Sequence, residues 1–307
     1  MILYKKIVPL LLVTLMMITT VNGSENKIKV LATTGMIADA VRDIGGDKVE
    51  VIQLMPSGSD PHSYKITAGD LRRFTVADII FYNGLHLEAN IYEALTIIPK
   101  AHAVSDAIPK NKLINVGGDD LFDPHIWMDV ELWSNILPYI TMVLSQFQSE
   151  NSDIFAKNAR NTSAKYKQLS ITVTDIIGRI PEKFRILLTA HDAFSYFGKA
   201  YGMKIYGVQG ISTKSTVGIK KISELAVLVL TEKIPAIFTE SSVSEITIYS
   251  LKKAVEHKGW KIKLGEELFS DSMGQAGSQY DNYIGMMEAN ANRIMKGLTE
   301  QQKENDE

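Results

Sequence analysis

The chain has no cysteine among its 307 residues. That excludes thiolate nucleophiles, cysteine-bound zinc, iron–sulfur clusters and any disulfide framework. No excess of one charge exists either: 33 Lys and Arg stand against 35 Asp and Glu, a formal net charge of −2. A whole-chain electrostatic basis for nucleic-acid binding is therefore missing. Proline is scarce, at nine, and histidine is scarcer still, at six, few enough to weigh one by one. The chain carries no H-E-x-x-H pair, no Ser-His-Asp signature and no Gly-rich phosphate loop. What is there is 45% hydrophobic and 22% charged, an ordinary foldable composition, and its length suits two domains.

The first residues read as an address rather than as fold. Lys5 and Lys6 precede an apolar run over 7–17, interrupted by Pro9 and Thr14, and the exit is Val21-Asn22-Gly23. A positive start, a short apolar stretch and a small-residue exit describe an export signal over residues 1–23. The run is shorter than the roughly 20 apolar residues a membrane span needs. Without a cysteine to follow it, lipid attachment at a new N-terminal cysteine is ruled out. Loss of the two lysines would take the net charge to −4. The expectation is a soluble protein, most simply in a periplasm, after cleavage near Gly23.

Beyond the signal, strands alternate with helical patterns, which argues for parallel sheets with crossover helices. In the first half, strands are expected at 28–32, 49–55, 78–82 and 101–104, with helices at 36–44, 68–75 and 88–95. Gly45-Gly46 stops the first of these helices. In the second half, strands at 185–189, 203–208, 236–238 and 261–264 alternate with helices at 191–201, 219–230, 245–258 and 283–298. Residues 153–180 lack glycine until Gly178. Ile154, Tyr166, Leu169, Val173, Ile176, Ile177 and Ile180 form one helical stripe there. The fold class is α/β, with two lobes, each a mostly parallel sheet flanked by helices, joined by one long rigid helix. The expected division is an N-terminal lobe over 24–150, the linking helix over 151–181, a C-terminal lobe over 182–299 and a charged tail over 300–307.

Three histidines stand out by position. His62 follows the second strand in a Pro/Gly/Ser-rich loop, and His125 lies in another Pro-led loop; each belongs to an Asp-Pro-His tripeptide. His191 follows the strand ending at residue 189, and Asp271 lies in the loop after the last strand of the second half. In open α/β sheets ligands gather outside the carboxyl ends of strands, and imidazole with carboxylate suits zinc, manganese or iron(II). The four are 63, 66 and 80 residues apart, so no local motif binds them together. Taken singly, each histidine could equally be a capping or hydrogen-bonded loop residue. His86, His102 and His257 read as surface or packing residues.

The stretches Ser59-Asp60-Pro61-His62-Ser63-Tyr64, Asp123-Pro124-His125-Ile126-Trp127-Met128-Asp129, Thr189-Ala190-His191-Asp192-Ala193-Phe194 and Ser270-Asp271-Ser272-Met273-Gly274, in this order, make the chain recognisable. It resembles the metal-receptor class of ABC-transporter solute-binding proteins, which take up zinc or manganese. The resemblance runs over essentially all of the chain after residue 23. It implies a metal held between the lobes by His62, His125, His191 and Asp271, with zinc or manganese as transported ligand, a membrane permease as partner and a monomeric mature protein. Two departures bear on the metal. Residues 111–122 contain no His, whereas dedicated zinc receptors often carry a His- and acid-rich loop. Manganese members often have Glu where His191 stands.

Two classes of function compete at this point. A binding protein would fill the metal's four positions with protein donors, whereas catalytic zinc keeps three protein ligands and an open position. The alternative, a periplasmic metal-dependent hydrolase built on the same His cluster, needs that open position and a general base, for which Asp192 or Glu240 are at hand. Asp129, Asp192 and Glu240 are candidates for orienting the imidazoles, and equally for capping their own helices. Because ligation needs a neutral imidazole, with a reference pKa of about 6.5, affinity is expected to fall below roughly pH 6.

Overall fold

The computed structural model describes residues 27–118 and 120–299; the expected signal segment over 1–23 and the tail over 300–307 lie outside them. The first half builds β1 (Ile28–Ala32), α1 (Gly35–Gly45), β2 (Val49–Gln53), α2 (Ala68–Val76), β3 (Ile79–Tyr82), α3 (Tyr92–Ile97) and β4 (Ala101–Ala103). All four strands pair in parallel in the order β2-β1-β3-β4. Three further helices follow: α4 (Val130–Trp133), α5 (Ile136–Phe147) and α6 (Ser152–Gly178).

The second half repeats the rhythm with β5 (Ile186–Thr189), α7 (Ser195–Tyr201), β6 (Lys204–Gly207), α8 (Ile219–Thr231), β7 (Ala236–Ile237), α9 (Ile246–His257), β8 (Lys263–Leu264) and α10 (Tyr283–Thr299). β5 pairs with β6 and β7 with β8, both in parallel. A parallel bridge between Thr189 and Phe238 joins the two pairs.

Strands buried on both faces explain the near-continuous apolar runs. Ile28, Val30 and Ala32 face one core while Leu31 faces another, shared with Ile80, Tyr82 and Leu95. In the second half Leu187 faces the first core, and Ile186 and Leu188 face a third, beneath α8 and α9. The first core is continuous between the lobes: it runs from β1 and α1 through Phe155, Tyr166 and Val173 of α6 to Phe194, Tyr283 and Met286.

α6 is the linking rod. Its 27 residues span about 40 Å at 1.5 Å per residue. Phe155, Tyr166, Leu169, Val173, Ile176 and Ile177 make its buried stripe, with Ile154 turned outward at 38% exposure. Asn158 Nδ2 donates to the carbonyl of Ile44 at the end of α1 (2.9 Å), where Gly46, at φ 55° and ψ −131°, takes a conformation open to glycine that stops the helix. No described helix is long and apolar enough to cross a membrane.

Three local differences have physical causes. α5 escapes the sequence pattern because Pro138 interrupts it, yet Pro138 is the third residue of the helix, where its missing N–H has no partner to lose. The helix expected at 88–95 begins at Tyr92 instead. Glu88 is buried and turned inward, accepting from the N–H of Asn83 and Gly84 and from Thr33 Oγ1, and Leu85 and His86 take positive φ. The helix expected from His191 begins at Ser195, because the carbonyl of His191, which would accept the first helical bond, is taken by Thr189 Oγ1 (2.7 Å).

Candidate metal centre

The loops after four different strands bring His62, His125, His191 and Asp271 together, all four buried, with one donor atom of each within 4.8 Å of every other. His62 lies in the loop after β2. His125 sits before a single 3-10 turn, Ile126–Met128, that leads into α4. His191 lies just past β5. Asp271 follows Leu268, which pairs with Glu240 beyond β7.

The Nε2 atoms of His62 and His125 are 3.3 Å apart. His125 Nε2 is 3.4 Å from Asp271 Oδ1, and His191 Nε2 is 3.3 Å from Asp271 Oδ2. His62 Nε2 lies 3.9 Å from Asp271 Oδ2. Metal–donor bonds of 2.0–2.1 Å at tetrahedral angles put neighbouring donors roughly 3.3–3.4 Å apart. His191 Nε2 and both Asp271 oxygens are buried and, among the described residues, have no hydrogen bond of ordinary geometry. Acceptors that converge in a dry interior are costly unless a cation, proton or metal, lies among them.

Carboxylates behind the rings fix which nitrogen faces inward. Asp123 Oδ1 accepts from His125 Nδ1 at 2.7 Å and from the His125 backbone N–H at 2.9 Å. Glu240 Oε2 lies 2.5 Å from His191 Nδ1. A carboxylate can only accept, so each Nδ1 carries a proton, which leaves Nε2 as the nitrogen that a metal or a second proton takes. Burial alone would lower the pKa of His125, but Asp123 and Asp271 outweigh it and push it up to about 9. Burial is likewise outweighed at His191, where Glu240 and Asp271 hold the imidazole well above its ordinary value. At Asp271 burial favours the neutral acid, yet His191 and His125 keep its pKa well below the carboxylate range. His62 goes the other way, down to about 4, because burial dominates over the help of Asp271.

Of the three acids singled out in sequence, Glu240 stands behind a ring. Asp129 caps α4 through the N–H of Leu132 (3.0 Å), and Asp192 accepts from Ser195 Oγ (2.9 Å) at the start of α7. Asp123, which does the same work as Glu240, is readable in the sequence only as part of an Asp-Pro-His tripeptide. The remaining histidines stay apart from the cluster. His86 is exposed with its ring 4.0 Å from Tyr92, His102 packs near Phe81 and Tyr139, and His257 is exposed at the end of α9.

The family described as zinc-uptake complex component A, periplasmic, matches residues 30–297. The chain belongs to this family. Its members are the metal-receptor class of solute-binding proteins of ABC import systems, and this protein is an extracytoplasmic binding protein of that class, not an enzyme. The hydrolase alternative is thereby set aside. The chain is 41% identical over 279 residues to the manganese-binding lipoprotein MntA of Bacillus subtilis, covering 90% of this chain and 91% of that one. The solved structure of the periplasmic zinc-binding protein TroA from Treponema pallidum superposes with a TM-score of 0.85 at 38% identity, over 89% of this chain and 99% of that one. That of Fe(III)-bound YtgA from Chlamydia trachomatis gives 0.81 at 28% identity, over 89% and 98%.

Proposed function

We propose that the protein captures one divalent transition-metal ion, zinc or manganese, between its lobes through His62, His125, His191 and Asp271, and hands it to an ABC permease. The observation that carries this reading is the convergence of three imidazoles and a carboxylate, all buried, with one donor atom of each within 4.8 Å of every other. Relatives named for zinc and for manganese support both ions as cargo, and four protein donors suit capture rather than catalysis. The lobes are delimited as 24–150 and 182–299 about the linking helix over 151–181, and the mature protein is a soluble periplasmic monomer.

Metal titration of the stripped protein tests the reading. One ion should bind per chain, and His62→Ala or His125→Ala should weaken it at least about tenfold through loss of a donor, while His86→Ala, His102→Ala and His257→Ala change little. Equal losses across all of these variants would overturn the ligand set.

A further inference from the structure

The four donors are not held alike. The edge between His125 and Asp271 is pinned from inside the continuous core. Trp127, two residues after His125, donates its indole N–H to the carbonyl of Ser270, one residue before Asp271 (2.9 Å). α10 then clamps both sides: Tyr283 Oη donates to the carbonyl of Trp127 (2.6 Å), and Asn290 holds both the N–H and the carbonyl of Phe269 (2.9 and 2.7 Å). Trp127, Tyr283 and Asn290 are all buried. This edge cannot open without breaking the core.

His62 is placed differently. Its side chain keeps 3% exposure, whereas those of His125, His191 and Asp271 keep none. No carboxylate stands behind its ring among the described residues. Asp60 occupies the same place before His62 in its tripeptide as Asp123 does before His125, yet it acts on the backbone and across the cleft. Its Oδ1 accepts the N–H of His62 (2.9 Å), and its Oδ2 accepts from Thr213 Oγ1 of the opposite lobe (2.6 Å). The next residue, Lys214, donates from Nζ to Asn90 Oδ1 (2.6 Å), and Asn90 Nδ2 donates to the carbonyls of Ser63 and Tyr64 (3.0 and 2.9 Å). Thr213 and Lys214 therefore grip the chain on both flanks of His62 through polar, partly exposed contacts.

We propose that metal enters and leaves by release of the His62 loop from a preformed His125–His191–Asp271 half-site, that Thr213 and Lys214 are the latch, and that Asp60 is a positioning residue coupling the seat of His62 to the closed latch. Polar contacts at the surface break and re-form readily because water replaces each partner, whereas separation of the lobes would expose the shared core. The inference rests on the four-donor reading of the site.

The test is the rate of zinc release from loaded full-length protein into excess chelator, with the on-rate measured on stripped protein. Thr213→Val with Lys214→Ala removes the two grips that flank His62, leaving those of Ser57 Oγ on the Gly274 carbonyl and of the Gly58 N–H on Ser272 Oγ further back in the loop (2.9 and 2.7 Å), and should speed release at least about fivefold, as expected for two modest hydrogen bonds. The on-rate should rise too, so that Kd changes less than the release rate. The absorption bands of the cobalt(II)-loaded variant, which report coordination geometry, should match those of the wild type. Asp60→Asn, which keeps the shape, should fall between wild type and the double variant in release rate. Unchanged release from a double variant that still binds one ion would overturn the latch. So would altered cobalt bands, because they would mean that the substitutions damaged the site rather than its closure. A wild-type protein that binds no metal would instead sink the four-donor reading itself.

Discussion

Glu240 grips His191 twice, with Oε1 on the backbone N–H at 2.8 Å and Oε2 beside ring Nδ1 at 2.5 Å. Asp123 does the same to His125, with a single oxygen serving both nitrogens. Two donors on opposite lobes thus have position, tautomer and basicity set by one carboxylate each. Glu240→Gln or Asp123→Asn should each weaken metal binding about 10–100-fold. Asp192→Asn, whose carboxylate accepts from Ser195 Oγ rather than from a ring nitrogen, should stay closer to wild type. Isothermal titration of the three variants distinguishes them, and equal affinity for all three would remove the orienting role.

The pH window follows from the same carboxylates. A metal takes the Nε2 lone pair that a proton would otherwise occupy, and in the metal-free protein His125 holds its proton up to about 9. Affinity should therefore keep rising from pH 7 towards 9, beyond the window below pH 6 that isolated imidazoles suggest. The same shift has a stability sign. A histidine raised from 6.5 to about 9 on folding contributes stability that is full below pH 6.5 and lost as pH rises through 9. The Tm of the stripped protein should fall over that interval relative to the zinc-loaded form. Parallel melting curves of the two forms from pH 6 to 9 would contradict it.

The donor set favours zinc over manganese in vitro, because three imidazoles place the site where the Irving–Williams order separates the two ions. A competition titration at neutral pH in which manganese displaced zinc at equal concentration would defeat this argument. Introducing an oxygen donor is not a single-residue exercise here. His191→Glu would set a second carboxylate beside Glu240, so it should weaken both ions. His191→Glu with Glu240→Gln should shift the ratio towards manganese.

Gly207, the last residue of β6, lies against the backbone of the His191 turn. A Cβ there would come 2.5 Å from Asp192 N and 2.7 Å from His191 C, and backbone atoms cannot step aside as a flexible side chain can. Gly207→Ala should lower Tm by several degrees, in line with about 1–3 kcal/mol for overpacking, and weaken metal binding at the same time. A loss of Tm with unchanged affinity would mean that the turn relaxes without moving the ring.

Much of the site is legible in the amino-acid sequence, because His62, His191 and Asp271 follow strands of an alternating α/β pattern, where such folds gather ligands, and His125 lies in a Pro-led loop at a helix start. What stands behind them is not. Asp60 and Asp123 open identical Asp-Pro-His tripeptides, and both cap the backbone of their histidine, yet Asp123 reaches its ring and Asp60 reaches Thr213. That difference depends on side-chain direction and on a residue 153 positions away, neither of which a tripeptide encodes. Likewise α5 is hidden by Pro138, whose compatibility with a first helical turn is a matter of register.

The continuous core through β1, α6, Phe194 and Tyr283 bears on how the molecule comes apart. Two lobes joined merely by a rod would denature in two calorimetric steps, each with its own enthalpy. Here the largest core is common to both lobes, although each also keeps a smaller one of its own, around Leu31 and beneath α8 and α9, so melting of either half strips the other of part of its interior. Cooperative loss of the whole in one heat-absorption peak follows, and a chain cut within α6 would yield two fragments that both expose the same greasy seam.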